Sequence, residues 1–389
     1  MKRAALILIT LLAPLYANSG MDQFILKVRE NSPEIRAVMS LEESEIAYSG
    51  TGINPPGPDL NFGYFPGKPS DAGNKITWSV IQSFDFPSTY SRIRDIRNTD
   101  RKLASLEAQK AVNQILCESR NMAIEYIFLQ KQLDIFTGRL ESLEEMREAY
   151  LKMVETGEST IIELNKIEIQ VINSRSQLLG LEGNISRAES RLDYLSGGNA
   201  ILLKGSAYPL LKDPSGINII EEKEKVQPAF LIPGYRIEKA QKSILLQKAG
   251  NLPGLNIGIA SESVASQTFT GPVAGISIPL WEQKGKVAAA RASLSYEESA
   301  AYAELESLRI NILSNLEMAE AVKKNMDMIL QNENGQKAKA LLNRSLSAGE
   351  IRLTDYLVEL REYYGIEDRY LELEKEYYLL LSNIWDHTL

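Results

Sequence analysis

In four short stretches of the chain, apolar and polar residues alternate at every second position. Between residues 75 and 86, Ile76, Trp78, Val80, Phe84 and Phe86 fall on one side. Lys75, Thr77, Ser79, Ser83 and Asp85 fall on the other, with Ile81 the exception. Just before, Leu60, Phe62 and Tyr64 alternate with Asn61 and Gly63. Later, Leu255, Ile257 and Ile259 alternate with Asn256, Gly258 and Ala260. Ala274, Ile276, Ile278 and Leu280 then alternate with Val273, Gly275 and Ser277. A period of two predicts strands with one apolar and one polar side. The links within each pair, Pro66–Asn74 and Ser261–Thr270, are polar and turn-rich, so two hairpins are expected.

After Pro87 the period lengthens. Leu129, Leu133, Phe136, Leu140, Leu143, Arg147, Tyr150 and Val154 recur at alternating spacings of four and three. Beyond Gly157 the pattern resumes with Leu164, Ile167, Val171, Ser174, Leu178, Leu181, Ile185, Ala188, Leu192 and Leu195. Such seams are what helices need in order to supercoil side by side. A glycine between two seams marks a tight helix reversal. The same order returns from Glu282 to Ser347, then Gly349, then Ile351 to Trp385. A helix of roughly 65 residues is about 100 Å long, a span that suits a tube or stalk better than a compact domain.

The two halves are therefore copies of one plan. Pro58–Gly63 matches Pro253–Gly258, Phe86-Pro87 matches Ile278-Pro279, and Gly157-Glu158 matches Gly349-Glu350, in the same order and at nearly constant offset. The expected organisation is a first repeat at 20–196, a linker at 197–227 holding some short helix, and a second repeat at 228–389.

Residues 1–19 are set apart. Lys2 and Arg3 precede an apolar run from Ala4 to Leu15 and a small-residue end, the make-up of a secretory signal peptide, with cleavage expected after Ala17 or Ser19. No cysteine follows the run to accept a lipid, and no later apolar run reaches 18 residues, so no transmembrane helix is expected.

Composition then removes most chemistry. A net charge of −8 argues against a dedicated nucleic-acid partner. A single cysteine, Cys117, excludes an internal disulfide or a multi-cysteine zinc site. A single histidine, His387, leaves little room for a histidine triad or a two-histidine metal site. No catalytic residue, metal site or cofactor is expected. Cys117 reads as a small packing residue and His387 as solvated.

Exported strands with one apolar face and aromatic residues suit a membrane β-barrel, which must close because open edges in lipid are costly. Four strands cannot close around a lumen; three chains would supply twelve. The expected fold class is mainly α with a transmembrane β-barrel portion: a duplicated helix, β-hairpin and long helical hairpin, assembled as a trimeric 12-stranded barrel with an α-helical coiled-coil tube. Trp78 and Trp281, on or beside predicted strands, are candidates for the lipid–water boundary.

These residues resemble the TolC-like outer-membrane factor family and, in parts, its heavy-metal branch. Asn31–Ile35 is similar to that family's Asn-Pro-Glu-Leu region. Val80–Pro87 and Gly275–Trp281 look like its strand-to-helix junctions, and Leu252–Leu255, Gly157 and Gly349 are similar too. The resemblance implies an outer-membrane exit duct with a periplasmic extension, serving efflux or type I secretion. It implies a passive homotrimer, not an enzyme, docked to a periplasmic adaptor (membrane fusion protein) and an inner-membrane pump of the RND or ABC class. The competing reading is a coiled-coil adaptor, stalk or adhesin of the cell envelope.

Six residues beyond the hairpin glycines stand Glu163 and Asp355. The resemblance puts Asp355 at the narrowest point of the tube, with Glu350 and Arg352 as further constriction candidates. The chain also departs from the family pattern. Ser88-Thr89-Tyr90 follows the first junction proline where glycine is frequent. Val154 and Leu346 stand where a tyrosine precedes the hairpin glycine, and Ile351 replaces an arginine that comes one residue later here, as Arg352. Drugs, metal ions and polypeptides all remain open as cargo.

Overall fold

A computed structural model describes residues 20–386 apart from 69–72, 199–202, 204, 215–216, 265, 282 and 332, and leaves out the side chains of 333–338. The signal-peptide segment and His387 lie outside the described residues. Helices dominate: α1 (Gly20–Asn31), α2 (Pro33–Tyr48), α3 (Pro87–Thr156), α4 (Ile161–Ser196), α5 (Ile219–Val226), α6 (Pro228–Ala249), α7 (Lys286–Leu330), α8 (Glu333–Ser347) and α9 (Leu353–Ile384). Between them lie strands β1 (Asp59–Phe65), β2 (Lys75–Phe84), β3 (Gly254–Val264) and β4 (Gln267–Ser277). Among the described residues no helix is long and apolar enough to cross a membrane.

The chain divides into two compact units, and each draws on both repeats. One holds the residues up to Arg36, Asn113–Ile217 and those from Leu313 onward; the other holds Ala37–Val112 and Asn218–Ile312.

The first unit is helical. The predicted seams are its packing surfaces: Leu164, Ile167, Val171, Leu181, Ile185, Leu192 and Leu195 are all buried along α4. Leu143 of α3, Ile167 and Val171 of α4, and Leu353, Tyr356 and Leu360 of α9 form one core. Full burial of a large apolar side chain contributes about 1.5–3 kcal/mol, so six such positions fix the spacing of these helices. Two buried arginines add direction. The Arg139 guanidinium donates to Glu367 at 2.6 Å and Asp368 at 2.7 Å, tying α3 to α9. Arg120 donates to the Ser382 hydroxyl at 2.9 Å and the Ser382 and Trp385 carbonyls at 2.5 and 3.1 Å. It thereby satisfies carbonyls that the last turn of α9 leaves without an intrahelical partner. Cys117, one turn before Arg120, packs at the same place, and burial pushes its thiol pKa up.

The second unit carries the sheet, in which the strands lie antiparallel in the order β1-β2-β3-β4. The first hairpin therefore joins the second through β2 and β3, with Phe84 opposite Leu255 and Lys75 opposite Val264. A Cβ at Gly258 would run into the Val80 carbonyl, so glycine is what lets β2 and β3 approach there.

Four expectations are corrected. Residues 261–264 and 267–270, expected as a turn-rich link, are paired strand. Ser261 meets Thr270 at 2.8 Å and Ser263 meets Thr268 at 3.1 Å, hydroxyl to hydroxyl, and the connection shrinks to residues 265–266, with Ser266 at φ 70°. Phe86, Ile278 and Leu280 continue the alternation but lie beyond the strand ends, because each adjoins a proline that cannot donate to a ladder. Trp281 lies four residues past β4 and is 75% exposed, so it belongs to no strand. The long helix expected from Glu282 to Ser347 is two helices, α7 ending at Leu330 and α8 beginning at Glu333, whose first turn holds the poor helix formers Asn334 and Gly335.

Candidate functional site

Two places hold the residues singled out by sequence: the sheet in one unit and the paired helix reversals in the other.

On the sheet, the register sets Phe62 beside Trp78, Leu60 beside Val80, and Leu255 beside Ile276. These six side chains, with Tyr64, Ile76, Ile257 and Ile259 on the same face, are all exposed. Asn256, Gly258, Ala260, Thr77 and Ser79 on the other face are half-buried. A sheet in water buries its apolar face and shows its polar one. In β2 and β3 the order is reversed, whereas the edge strands β1 and β4 are exposed on nearly every residue of both faces. Both edge strands, β1 and β4, also have one side without a neighbour in the sheet. Trp78 sits on the exposed apolar face, as expected; Trp281 is placed on no strand.

The two helix reversals share one backbone solution. Gly157 and Gly349 have φ of 80° and 70°, the left-handed region that favours glycine. The Glu158 N–H donates to the Met153 carbonyl at 2.8 Å and the Gly157 N–H to Val154 at 3.2 Å. In the second reversal the Glu350 N–H donates to Ser345 at 2.9 Å and the Gly349 N–H to Leu346 at 3.0 Å. This is a Schellman motif, built twice.

Past the glycines the copies diverge. Thr160 caps α4 in a full capping box: its hydroxyl accepts from the Glu163 N–H, and the Glu163 carboxylate accepts from the Thr160 N–H at 3.2 Å. The Ser159 hydroxyl donates to the same carboxylate at 2.7 Å. These donors, Ser159 first, hold the Glu163 carboxyl below the usual carboxylate range. Arg352 stands at the equivalent cap of α9 and provides no side-chain cap. Asp355 holds the same third helical position as Glu163 but meets Arg352 instead, at 3.0 Å, with both side chains at least half exposed. Glu350 accepts from the Ser345 hydroxyl at 3.0 Å.

Leu346 and Ile351, which flank Gly349, pack on the same core as Tyr150 of α3. Tyr356 was not singled out by sequence, yet it is buried in that core and donates to the Asn343 side chain at 2.8 Å. Its signal was available: it lies in a seam of leucines at the position that Leu164 fills in the first repeat. Among the described residues no group of three or more His, Cys, Asp or Glu side chains could hold a metal ion.

No family model matches the chain. Over 280 residues it is 22% identical to a probable outer membrane lipoprotein, SilC, of Salmonella typhimurium; the match takes in 66% of this chain but only 58% of that relative's length. Its fold is similar to that of a membrane protein from Pseudomonas aeruginosa, with a TM-score of 0.80 at 13% identity, covering 95% of this chain and 90% of the other. It is similar to the outer membrane protein VceC of Vibrio cholerae, with a TM-score of 0.77 at 14% identity over 94% and 95% of the two chains. The Campylobacter jejuni CmeC outer membrane channel matches with a TM-score of 0.78 at 13% identity over 95% and 85%. The chain has the fold of these outer-membrane proteins, and at the level of fold the expected resemblance is borne out.

Proposed function

We propose that this chain, with that fold as premise, is the outer-membrane exit duct of a tripartite efflux or type I secretion system. Three copies close their sheets edge to edge into a barrel of twelve strands, and their helical hairpins form the periplasmic tube. The duct is passive and docks to a periplasmic adaptor and an inner-membrane RND or ABC pump, which choose the cargo. The repeats, 20–196 and 228–389, are the two copies of one structural unit that make each chain a third of the ring.

The observation that carries this reading is the exposed apolar face of the sheet, with the reversed alternation of β2 and β3 at its centre: such a face suits strands with lipid on one side and a polar lumen on the other. Ten large apolar side chains face outward while Thr77, Ser79 and Asn256 turn inward. A coiled-coil adaptor or stalk gives no reason for such a surface. The purified protein should behave as a trimer in mild detergent, and brominated lipid should quench Trp78 fluorescence in reconstituted vesicles. A monomer under conditions where it stays folded, or an unquenched Trp78 in an inserted protein, overturns the reading.

For the periplasmic constriction Asp355 is the favoured carboxylate. The Glu163 carboxylate accepts from three donors of its own helix cap, the Ser159 hydroxyl and the Thr160 N–H and hydroxyl, whereas the Asp355 carboxylate meets the exposed Arg352 among the described residues. Threefold symmetry would set three Asp355 side chains around one axis, where clustered negative charge favours cations. Asp355→Asn should reduce cation selectivity and block by multivalent cations in planar bilayers, and Glu163→Gln should leave both unchanged. The reverse result would move the constriction to Glu163; no effect of either would move it to Glu350 or Arg352.

A further inference from the structure

The polar face of the sheet breaks its own pattern at one end. Among the described strand residues its only aromatic side chains are Phe65, the last residue of β1, and Phe269, near the start of β4. They are 56% and 64% exposed. The Phe65 ring folds back over Gly63, so that a Cβ there would come within 2.8 Å of the ring and 2.7 Å of the Thr77 hydroxyl. Between the two rings, Lys75 of β2 and Glu262 of β3 form an ion pair at 2.7 Å. The register places Phe65 opposite Lys75, Thr77 opposite Glu262, and Glu262 opposite Phe269. One row thus crosses all four strands at the hairpin end, opposite the end where the strands join helices. Phe65, Glu262 and Phe269 line a concavity of about 890 Å³, and Gly63, Ser79, Ala260 and Gly271 supply its small-residue lining.

We propose that this row is a second selectivity station of the duct, separate from the helix reversals. The phenyl rings narrow the opening, and the Lys75–Glu262 pair keeps it charge-neutral. The inference rests on the duct reading. Phe65 and Phe269 belong to the two edge strands, so in a closed ring each seam between copies is flanked by one copy's Phe65 and the next copy's Phe269. A barrel interior is ordinarily polar. Six rings set into it remove hydrogen-bonding partners for hydrated ions of either sign and offer faces to apolar groups. The ion pair has a distinct effect. With both partners present the row carries no net charge; removal of one exposes three like charges around the opening. The class of solute favoured is amphipathic and partly aromatic, over small hydrated ions.

The test is single-channel recording of the reconstituted full chain, with the oligomer checked by cross-linking for every variant. Lys75→Met should raise the cation-to-anion permeability ratio by roughly two- to tenfold, because focused charge concentrates counter-ions in a narrow opening. Glu262→Gln should lower it by a similar factor. The double variant should return to the wild-type ratio, and Lys75→Arg should not leave it. Phe65→Ala combined with Phe269→Ala should raise single-channel conductance without altering the ratio. Combined with Asp355→Asn, the Lys75→Met shift should persist in full, as separate stations require. If the wild type conducts and these variants match it in ratio and conductance, the station is overturned and the duct stands. If the intact wild-type chain never conducts, the duct reading falls and takes the station with it.

Discussion

The two helix reversals start from the same backbone and end with different electrostatics. Both stop a helix with a left-handed glycine and the same pair of backbone hydrogen bonds. Both then set a carboxylate at the third position of the next helix. In the first copy that carboxylate is consumed by its own cap: Ser159, Thr160 and Glu163 satisfy one another and the start of α4. In the second copy the cap residue is Arg352, which forms no side-chain cap, and Asp355 is paired across one helical turn with that arginine. The two reversals share what the backbone needs, because a reversal without glycine is strained. They differ in what the backbone does not need. A capping residue that a helix can do without becomes available for another task, and in this chain the second reversal is the one so released.

The comparison can be broken at three depths. The largest effect is expected below the second reversal, where Tyr356 replaces the Leu164 of the first. Tyr356→Ala should destabilise the helical unit by about 3–5 kcal/mol, the usual cost of emptying an aromatic site in a core. Tyr356→Phe should cost about 1 kcal/mol, the hydrogen bond to Asn343 alone. Thermal or denaturant unfolding followed by circular dichroism reads both, and equal costs would mean that the ring is not packed as described.

An intermediate effect separates the caps. Thr160→Ala should cost about 1 kcal/mol, as loss of a capping hydroxyl does. Arg352→Ala should stay within about 0.5 kcal/mol, as exposed positions do. Similar losses would erase the difference between the copies.

The smallest effect is in pH. The folded-state pKa of Glu163 is depressed by its cap, so its contribution is present above the unfolded carboxylate value, about 4.3. It is lost as pH falls through the lower folded value. Acidification across that window should lower the hydrogen-exchange protection factor at the start of α4, and Glu163→Gln should make that protection factor independent of pH over the same range. A Glu163→Gln profile that still follows the wild type would assign the titration to another group.

Much of the fold was legible in the sequence, for reasons that differ by element. The heptad seams identified α3, α4 and α9 almost to the residue, because a spacing repeated over many turns outweighs local propensity. Alternation found β1 and β2 for the same reason. It failed at both ends of the second hairpin. Ser261, Ser263, Thr268 and Thr270 look like turn residues by composition, yet their hydroxyls pair across strands. Ile278 and Leu280 alternate correctly yet have no strand partner. Periodicity reports which side a residue faces, whereas a strand ends where hydrogen-bond partners run out, and the single sequence does not show where that is. The carboxylates were found by repeat spacing alone, which could not separate a capping Glu163 from an Asp355 paired with Arg352. Phe65 and Phe269 escaped notice because one fell at the last position of its strand and the other in the supposed link.

The pairing of β2 with β3 has a consequence for timing. Lys75 meets Val264 and Phe84 meets Leu255, partners separated by nearly a whole repeat. Contacts so distant along the chain are slow to form, since closure of a long loop must precede any gain from the ladder. The first hairpin, emerging alone, is a two-stranded ribbon and marginal by itself. The sheet with its outward apolar face therefore cannot be completed until the chain has been delivered as far as Ser277 of β4, and the helices that precede β3 have the opportunity to form before it. A chain built in this order keeps its stickiest surface unassembled until its second hairpin arrives, well after the first has been delivered.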